Sequence, residues 1–168
     1  MKRFAILGCA MALALAVIVT GGPPRAVAAS STGFFDDVAA PATFVVSHEG
    51  RSLEVGLKFT TKRALTITGV QVYKPTSVAT DTPTTGSLWS STGSLLSKAT
   101  FSPTTKVGWI TVSFSKPVAV SAGSTYTVSV FEKSGNYASL LRGLQNPMST
   151  ADLSTAAAAG VYLHSTVS

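Results

Sequence analysis

The stretch LEVGLKFT, from Leu53 to Thr60, decides the predicted fold because its apolar and polar residues alternate along its whole length. A period of two is typical of a β-strand with one buried face. The alternation continues through Leu65 and Ile67 and then shifts phase at Gly69. We predict a β-bulge at this glycine, which adopts the backbone conformations that bulges often need.

Further alternating stretches follow at intervals of about ten residues, with clusters of Gly, Ser and Asn between them. Two clear apolar stripes are Ile110, Val112 and Phe114, and Tyr126, Val128 and Val130. This spacing predicts an all-β protein, built as an antiparallel β-sandwich or barrel. One short helix is predicted near the C-terminus, because Ser149 can cap it, Asp152 lies three residues later and Gly160 can end it.

The composition indicates one compact domain of low charge. The chain has 168 residues, 45% of them hydrophobic and 12% charged, with a single Cys. The hydrophobic fraction is too high for a disordered chain. The charged fraction is about half the usual quarter, which disfavours a coiled coil. One Cys cannot form an internal disulfide.

The N-terminus has the order of a secretory signal peptide. Lys2 and Arg3 precede an uncharged run from Phe4 to Thr20, which is followed by Gly-Gly-Pro-Pro and a small-x-small site, AVA, at residues 26–28. We predict cleavage near residue 28 or 29. The alternative is an uncleaved anchor, for which a run of about seventeen apolar residues is at the lower limit of length.

Cleavage divides the chain into a signal peptide, residues 1–29, and a single secreted domain, residues 30–168. The removed segment contains Lys2, Arg3 and Arg25, so the net charge falls from +6 to +3. The remaining basic residues are scattered, which gives no nucleic-acid-binding patch. Nothing after the signal peptide predicts a membrane segment.

Four stretches carry a resemblance to a known family. They are LEVGLKF (Leu53 to Phe59), TGVQVYK (Thr68 to Lys74), GSLWSSTGSLLSKATF (Gly86 to Phe101) and GWITVSFSKPVAVSAGSTYTVSVF (Gly108 to Phe131). In order and spacing they resemble the bacterial secreted family called domain of unknown function 4082. The resemblance implies a jelly-roll-like β-sandwich that serves as an accessory module in exported proteins. It implies no activity and no functional residues.

The sequence contains no motif typical of an enzyme: it lacks a Walker loop, GxGxxG, GxSxG and HExxH. The two histidines, His48 and His164, have no second His or Cys at metal-binding spacing. We therefore predict no catalytic residues and no enzyme activity. A small hydrolase is the least favoured reading.

Three aromatic residues are candidates for ligand binding. Trp109 precedes the stripe that begins at Ile110, Trp89 follows Leu88, and Tyr73 follows Val72, so alternation turns each ring away from its apolar neighbour. A flat ring on a face rich in Ser and Thr can stack against a sugar. The competing interpretation is that these rings pack under loops or against a second sheet.

Glu54 is a weaker candidate, for a metal. It lies on the polar face of its strand, and β-sandwich modules can hold a structural calcium through carboxylates and carbonyls. No Asp-rich loop accompanies Glu54. We predict no other cofactor.

The last residues, from Gly160 to Val167, still alternate. They either close the sheet or leave an edge open, which would favour weak self-association or strand addition from a partner.

Taken together, these features of the sequence predict a secreted, non-catalytic module that binds a polysaccharide or a cell-surface component. The alternative is a structural or assembly module in protein–protein contacts.

Export should remove the segment that ends at Ala28 or Ala29, because the AVA site follows helix-breaking residues. The intact mass of the exported protein measures this cleavage. A secreted product that still begins with Met1 would contradict the prediction.

Overall fold

The computed structural model describes residues 5–6, 11–13, 15–20, 33–35, 44–76, 81–141 and 143–164. These residues form the strands β1 (Ala5–Ile6), β2 (Met11–Leu13), β3 (Leu15–Thr20), β4 (Val45–His48), β5 (Leu53–Thr61), β6 (Leu65–Lys74), β7 (Thr85–Ser90), β8 (Leu95–Thr100), β9 (Gly108–Val120), β10 (Thr125–Glu132), β11 (Asn136–Leu141), β12 (Leu153–Ser154) and β13 (Gly160–His164). Within these ranges, the structure has no helix long and apolar enough to cross a bilayer.

A seven-stranded antiparallel sheet is built around β5. Its strand order is β1-β13-β5-β10-β7-β8, and β12 also pairs with β5. The alternating residues of β5 explain this central place, because Leu53, Val55, Leu57 and Phe59 are all buried. Glu54 and Gly56, which lie on the other face of β5, are buried as well. Strand β5 is therefore covered on both faces from Leu53 to Leu57, whereas Lys58 is exposed.

Two smaller sheets complete the fold. One has the order β3-β6-β9 and the other has the order β2-β11-β4. Strands β6 and β9 pair antiparallel from Leu65 to Lys74. Their inward residues, which include Ile67, Val70 and Ile110, belong to the same buried cluster as the apolar residues of β5.

At Gly86, on β7, the seven-stranded sheet packs closely against the β6–β9 sheet. A Cβ atom at Gly86 would lie 2.9 Å from Cβ of Val70 and 3.0 Å from Cγ1 of Val112. Side chains of the opposite sheet thus fill the space that a side chain at this position would need. The prediction of an all-β antiparallel sandwich is confirmed.

The predicted bulge at Gly69 is confirmed. The pairing of β6 with β9 shifts register between Ile67 and Gly69, where Ile67 lies opposite Val118 and Gly69 opposite Ser113. A side chain at Gly69 would collide with the backbone carbonyl of Val112. Glycine is required here because the two strands approach closely.

The predicted helix from Ser149 to Gly160 is wrong. Ser149 forms a bridge with Ser154, and Leu153 and Ser154 pair with β5 instead. Asp152, the residue expected to support a helix start, accepts hydrogen bonds from Nε and Nη2 of Arg63 at 2.6 and 3.0 Å. Tertiary pairing and this ion pair override the local capping signal.

The C-terminal alternation from Gly160 forms β13, which pairs with β5 from Gly160 opposite Leu57 to His164 opposite Leu53. Of the two outcomes that the sequence leaves open, the structure therefore shows this segment joining the sheet. Residues 165–168 lie outside the described residues. Self-association stays a prediction.

Part of the predicted signal peptide is paired with the sandwich. Strand β1 pairs with β13, β2 with β11, and β3 with β6. The predicted cleavage site at residues 26–29 lies outside the described residues. Removal of this segment on export stays a prediction.

Replacing Gly86 with Ala should destabilise the domain by about 1–3 kcal/mol, because the new methyl group overpacks the contact with Val70 and Val112. Urea unfolding measures the change. Val112→Ala in the same chain makes room for the methyl group, so the double variant should lose less stability than the sum of the two single variants. Full additivity would show that Gly86 is not packed against Val112.

Candidate functional site

The structure brings two of the three predicted ligand-binding residues together. Tyr73, on β6, lies opposite Trp109, on β9, in the strand pairing. Their ring centroids are 5.5 Å apart and the rings are inclined at 76°. The inward neighbours Val72 and Ile110 are buried in the core, so both rings project from the outer face, where each is half-buried.

Two phenylalanines extend this pair to a row of four rings, which we name the aromatic row: Phe35, Trp109, Tyr73 and Phe44. The ring centroids of Phe35 and Trp109 are 6.1 Å apart, with the rings inclined at 26°. Those of Phe44 and Tyr73 are 5.5 Å apart, at 53°. Phe44 is 37% exposed, the most open of the four. Each ring packs against at least one other ring of the row, and all four rings remain partly exposed to solvent.

The sequence does not predict the contribution of Phe35 and Phe44. They lie more than sixty residues before Trp109, and nothing local places them beside it. One signal is present in the pair Phe34-Phe35. Adjacent residues of an extended chain point to opposite sides, and here Phe34 is buried in the core while Phe35 stacks on Trp109.

The third candidate, Trp89, is buried, which agrees with the competing interpretation that the ring packs against other parts of the protein. Its side chain is 5% exposed. Its Nε1 donates a hydrogen bond of 2.7 Å to Oγ of Ser129, and that hydroxyl donates one of 2.7 Å to Oε1 of Glu54. Alternation correctly turns Trp89 away from Leu88, but the other face of this sheet is covered as well.

The structure places Glu54, the candidate calcium ligand, in a buried hydrogen bond, and calcium at this residue stays a prediction. The carboxylate is buried and accepts the hydrogen bond from Ser129. Calcium takes six to eight oxygen ligands, usually with several carboxylates. Across the part of the chain that the structure describes, no group of three or more His, Cys, Asp or Glu side chains could hold a metal ion. Glu54 serves the hydrogen-bonded chain with Ser129 and Trp89.

A small polar cavity lies close to the aromatic row, at the end of β6. Lys74, Asp81, Glu132 and Asn136 contribute to its lining, together with Tyr73. Its volume of about 10 Å³ is close to what one water molecule needs. The cavity is therefore too small for a sugar ring.

Hydrogen bonds around this cavity join five segments of the chain. Nζ of Lys74 donates to Oγ1 of Thr82, at 3.2 Å, and to the carbonyl oxygen of Thr104. Nδ2 of Asn136 donates to Oδ2 of Asp81 at 2.7 Å. Oδ1 of Asn136 lies 2.7 Å from Nδ1 of His48, which is exposed. These contacts hold the loops before β7 and β9 against β6 and β11.

The second histidine, His164, lies in a different place. Its Nε2 lies 3.0 Å from Nη2 of Arg51, and its ring meets that of Tyr162 edge-on at 4.9 Å. The two histidines are thus in separate hydrogen-bonded pairs.

Burial shifts the pKa values of two cavity residues, Lys74 and Glu132, in opposite directions. Lys74 is 2% exposed, and burial lowers the pKa of its ammonium, although Asp81 and Glu132 oppose the change. Glu132 is 3% exposed, and burial raises its pKa from 4.5 to about 8, with Asp81 adding to the increase and Lys74 opposing it. Near neutral pH, the buried carboxyl therefore holds its proton.

The free energy of unfolding should fall as the pH rises from 4.5 to 8, by at most about 1.4 kcal/mol per pH unit. The reason is that in this window the folded protein keeps a proton on Glu132 that the unfolded chain has lost. Glu132→Gln should flatten the decline, so that the variant exceeds the wild type in stability at pH 8 and matches it near pH 4.5. Urea unfolding across this range measures both curves.

Glu49→Gln is the matched control, because Glu49 is exposed. This variant should keep the wild-type decline. Parallel curves for Glu132→Gln and the wild type would contradict the assignment of the decline to Glu132.

Comparison with known proteins places the chain in a family. No curated protein matches it. The family model described as Domain of unknown function (DUF4082) matches residues 38–168, which include β4 to β13, the pair Tyr73 and Trp109, and the polar cavity. Since the match covers well over half of the sequence, the chain belongs to the family described as Domain of unknown function (DUF4082).

Proposed function

We propose that this chain is an exported, non-catalytic β-sandwich module that binds a polysaccharide or another cell-surface component through the aromatic row. The observation that supports the proposal is the joining of Phe35, Trp109, Tyr73 and Phe44 on the outer face of one sheet. Partly exposed aromatic rings offer apolar area and an electron-rich face at low entropic cost. Both properties suit the apolar face of a sugar ring.

The location of the row supports the same proposal. The two central rings of the row, Tyr73 and Trp109, lie on the strands β6 and β9, whose inner face packs in the core, so the strands behind these two rings are rigid. A binding surface on strands loses less entropy on binding than one on loops. The proposed export supplies the setting, because glycans and cell walls lie outside the cell membrane.

A second candidate function is assembly with another protein. It is favoured by Leu95, which is 49% exposed, and by its exposed neighbour Leu96, both on β8. Strand β8 is the last in the order of the seven-stranded sheet, and an edge strand with exposed apolar residues can pair with another chain. Concentration-dependent self-association in sedimentation, together with no retention of any glycan, would favour this function over the first.

Tyr73→Ala should weaken glycan retention by the exported protein at least about tenfold, or 1.4 kcal/mol, because it removes the ring that joins Trp109 to Phe44. A glycan array identifies the ligands, and titration of one of them measures the loss. Tyr162→Ala is the matched control, since this tyrosine is also half-buried and contacts another ring. Equal retention by wild type and Tyr73→Ala would contradict the proposal.

A further inference from the structure

We name Tyr73 and Trp109 the aromatic pair. Two further residue pairs, which supply three polar side chains, follow it along the outer face of β6 and β9. Gln71 lies opposite Thr111, and Gly69 lies opposite Ser113. Alternate residues of a strand share a face, so these pairs lie on the same face as Tyr73 and Trp109, at steps of about 7 Å. Thr111 and Ser113 are exposed, and Gln71 is half-buried. We name these three side chains the polar strip.

The paired residues that form the aromatic pair and the polar strip are all uncharged. Lys74 follows Tyr73 in sequence, but it points to the opposite face and is held by Thr82 and Thr104. Recognition of a carboxylate or a sulfate usually relies on Arg or Lys. The pairs on this face therefore favour an uncharged ligand.

The polar strip suits the edge of a sugar ring. A sugar hydroxyl both donates and accepts hydrogen bonds, and the amide of Gln71 and the hydroxyls of Thr111 and Ser113 do the same. The sugar needs an apolar face for the aromatic pair and hydroxyls around its rim for the polar strip. A pyranose with equatorial substituents has this shape, because its C–H bonds then form a continuous apolar face.

The ring angles favour one chain over a flat crystalline surface. Tyr73 is inclined at 76° to Trp109 and at 53° to Phe44. Rings at such angles cannot all lie flat against one plane. They form a stepped surface instead, on which a single sugar ring can rest against one aromatic face and meet the edge of the next.

We infer that the outer face of β6 and β9 binds a single chain of an uncharged glycan built of equatorial pyranose units, with the aromatic pair stacking one unit and Gln71 and Thr111 bonding the hydroxyls beside it. This inference rests on the proposed function and narrows it to one class of ligand. Because no charge pair takes part, binding should depend little on ionic strength.

Isothermal titration of the exported protein tests the inference, with cellohexaose and xylohexaose as uncharged probes and a galacturonate hexamer as the anionic probe. An uncharged probe should bind, and its Kd should change less than about twofold between about 50 and 500 mM NaCl. Gln71→Ala and Thr111→Val should each weaken that binding about fivefold or more, as expected for the loss of a hydrogen bond. Thr100→Val is the matched control, because Thr100 is an exposed strand threonine on β8, and it should leave the Kd unchanged.

The outcomes separate this inference from the proposed function. Binding of the anionic probe alone, weakened by salt and by Tyr73→Ala, would overturn the inference and keep the proposed function. Retention on crystalline cellulose without binding of the soluble hexamers would also overturn the single-chain inference. Glycan binding that is insensitive to Tyr73→Ala, or no glycan binding at all, would overturn both.

Discussion

The contact of Gly86 with Val70 and Val112 is the constraint on which the functional surface depends. At this contact, side chains of one sheet fill the space that a side chain of the other sheet would need. Because Val70 and Val112 fill that space, their neighbours on β6 and β9 must point outward. A slip of one residue in either strand would bury the outward residues and expose the valines. The packing of the core therefore fixes the outward orientation of Tyr73 and Trp109.

The strand pattern and the bulge could be predicted from the sequence because both are local. Alternation identifies β5, and the phase shift at Gly69 coincides with the change of register against β9. Errors arise where the outcome depends on distant segments. Trp89 points away from Leu88 as predicted, yet it donates a hydrogen bond there to Ser129 of the neighbouring strand β10, which in turn bonds Glu54 of β5. The segment after Ser149 has helix-capping signals. The ion pair of Asp152 with Arg63 and the pairing of Leu153 with the end of β5 hold it out of a helix.

Among the described residues, four acidic or basic side chains are buried in the interior. Only 12% of the residues are charged, yet Glu54, Glu132, Asp152 and Lys74 are all buried. Asp152 is paired with Arg63, Glu54 is hydrogen-bonded, and Lys74 is held between two loops. Buried polar groups of this kind specify a unique arrangement because each loses more when misplaced than an apolar group would. The paired residues on the outer face of β6 and β9 instead present aromatic rings, hydroxyl groups and the amide of Gln71.

The pairing of β3 with β6 has a consequence for the order of events in the cell. Residues 15–20 lie beside β6 from Val72 to Thr66, within the segment that the sequence assigns to export. A leader that is hydrogen-bonded into a finished sandwich is not accessible to a translocation channel, so folding and export compete for the same residues. Under the proposed export, translocation must therefore come before folding. In the proposed exported form, which lacks the leader, the backbone amides and carbonyls of β6 that face β3 need a new partner, so that form would differ at this edge from the full chain.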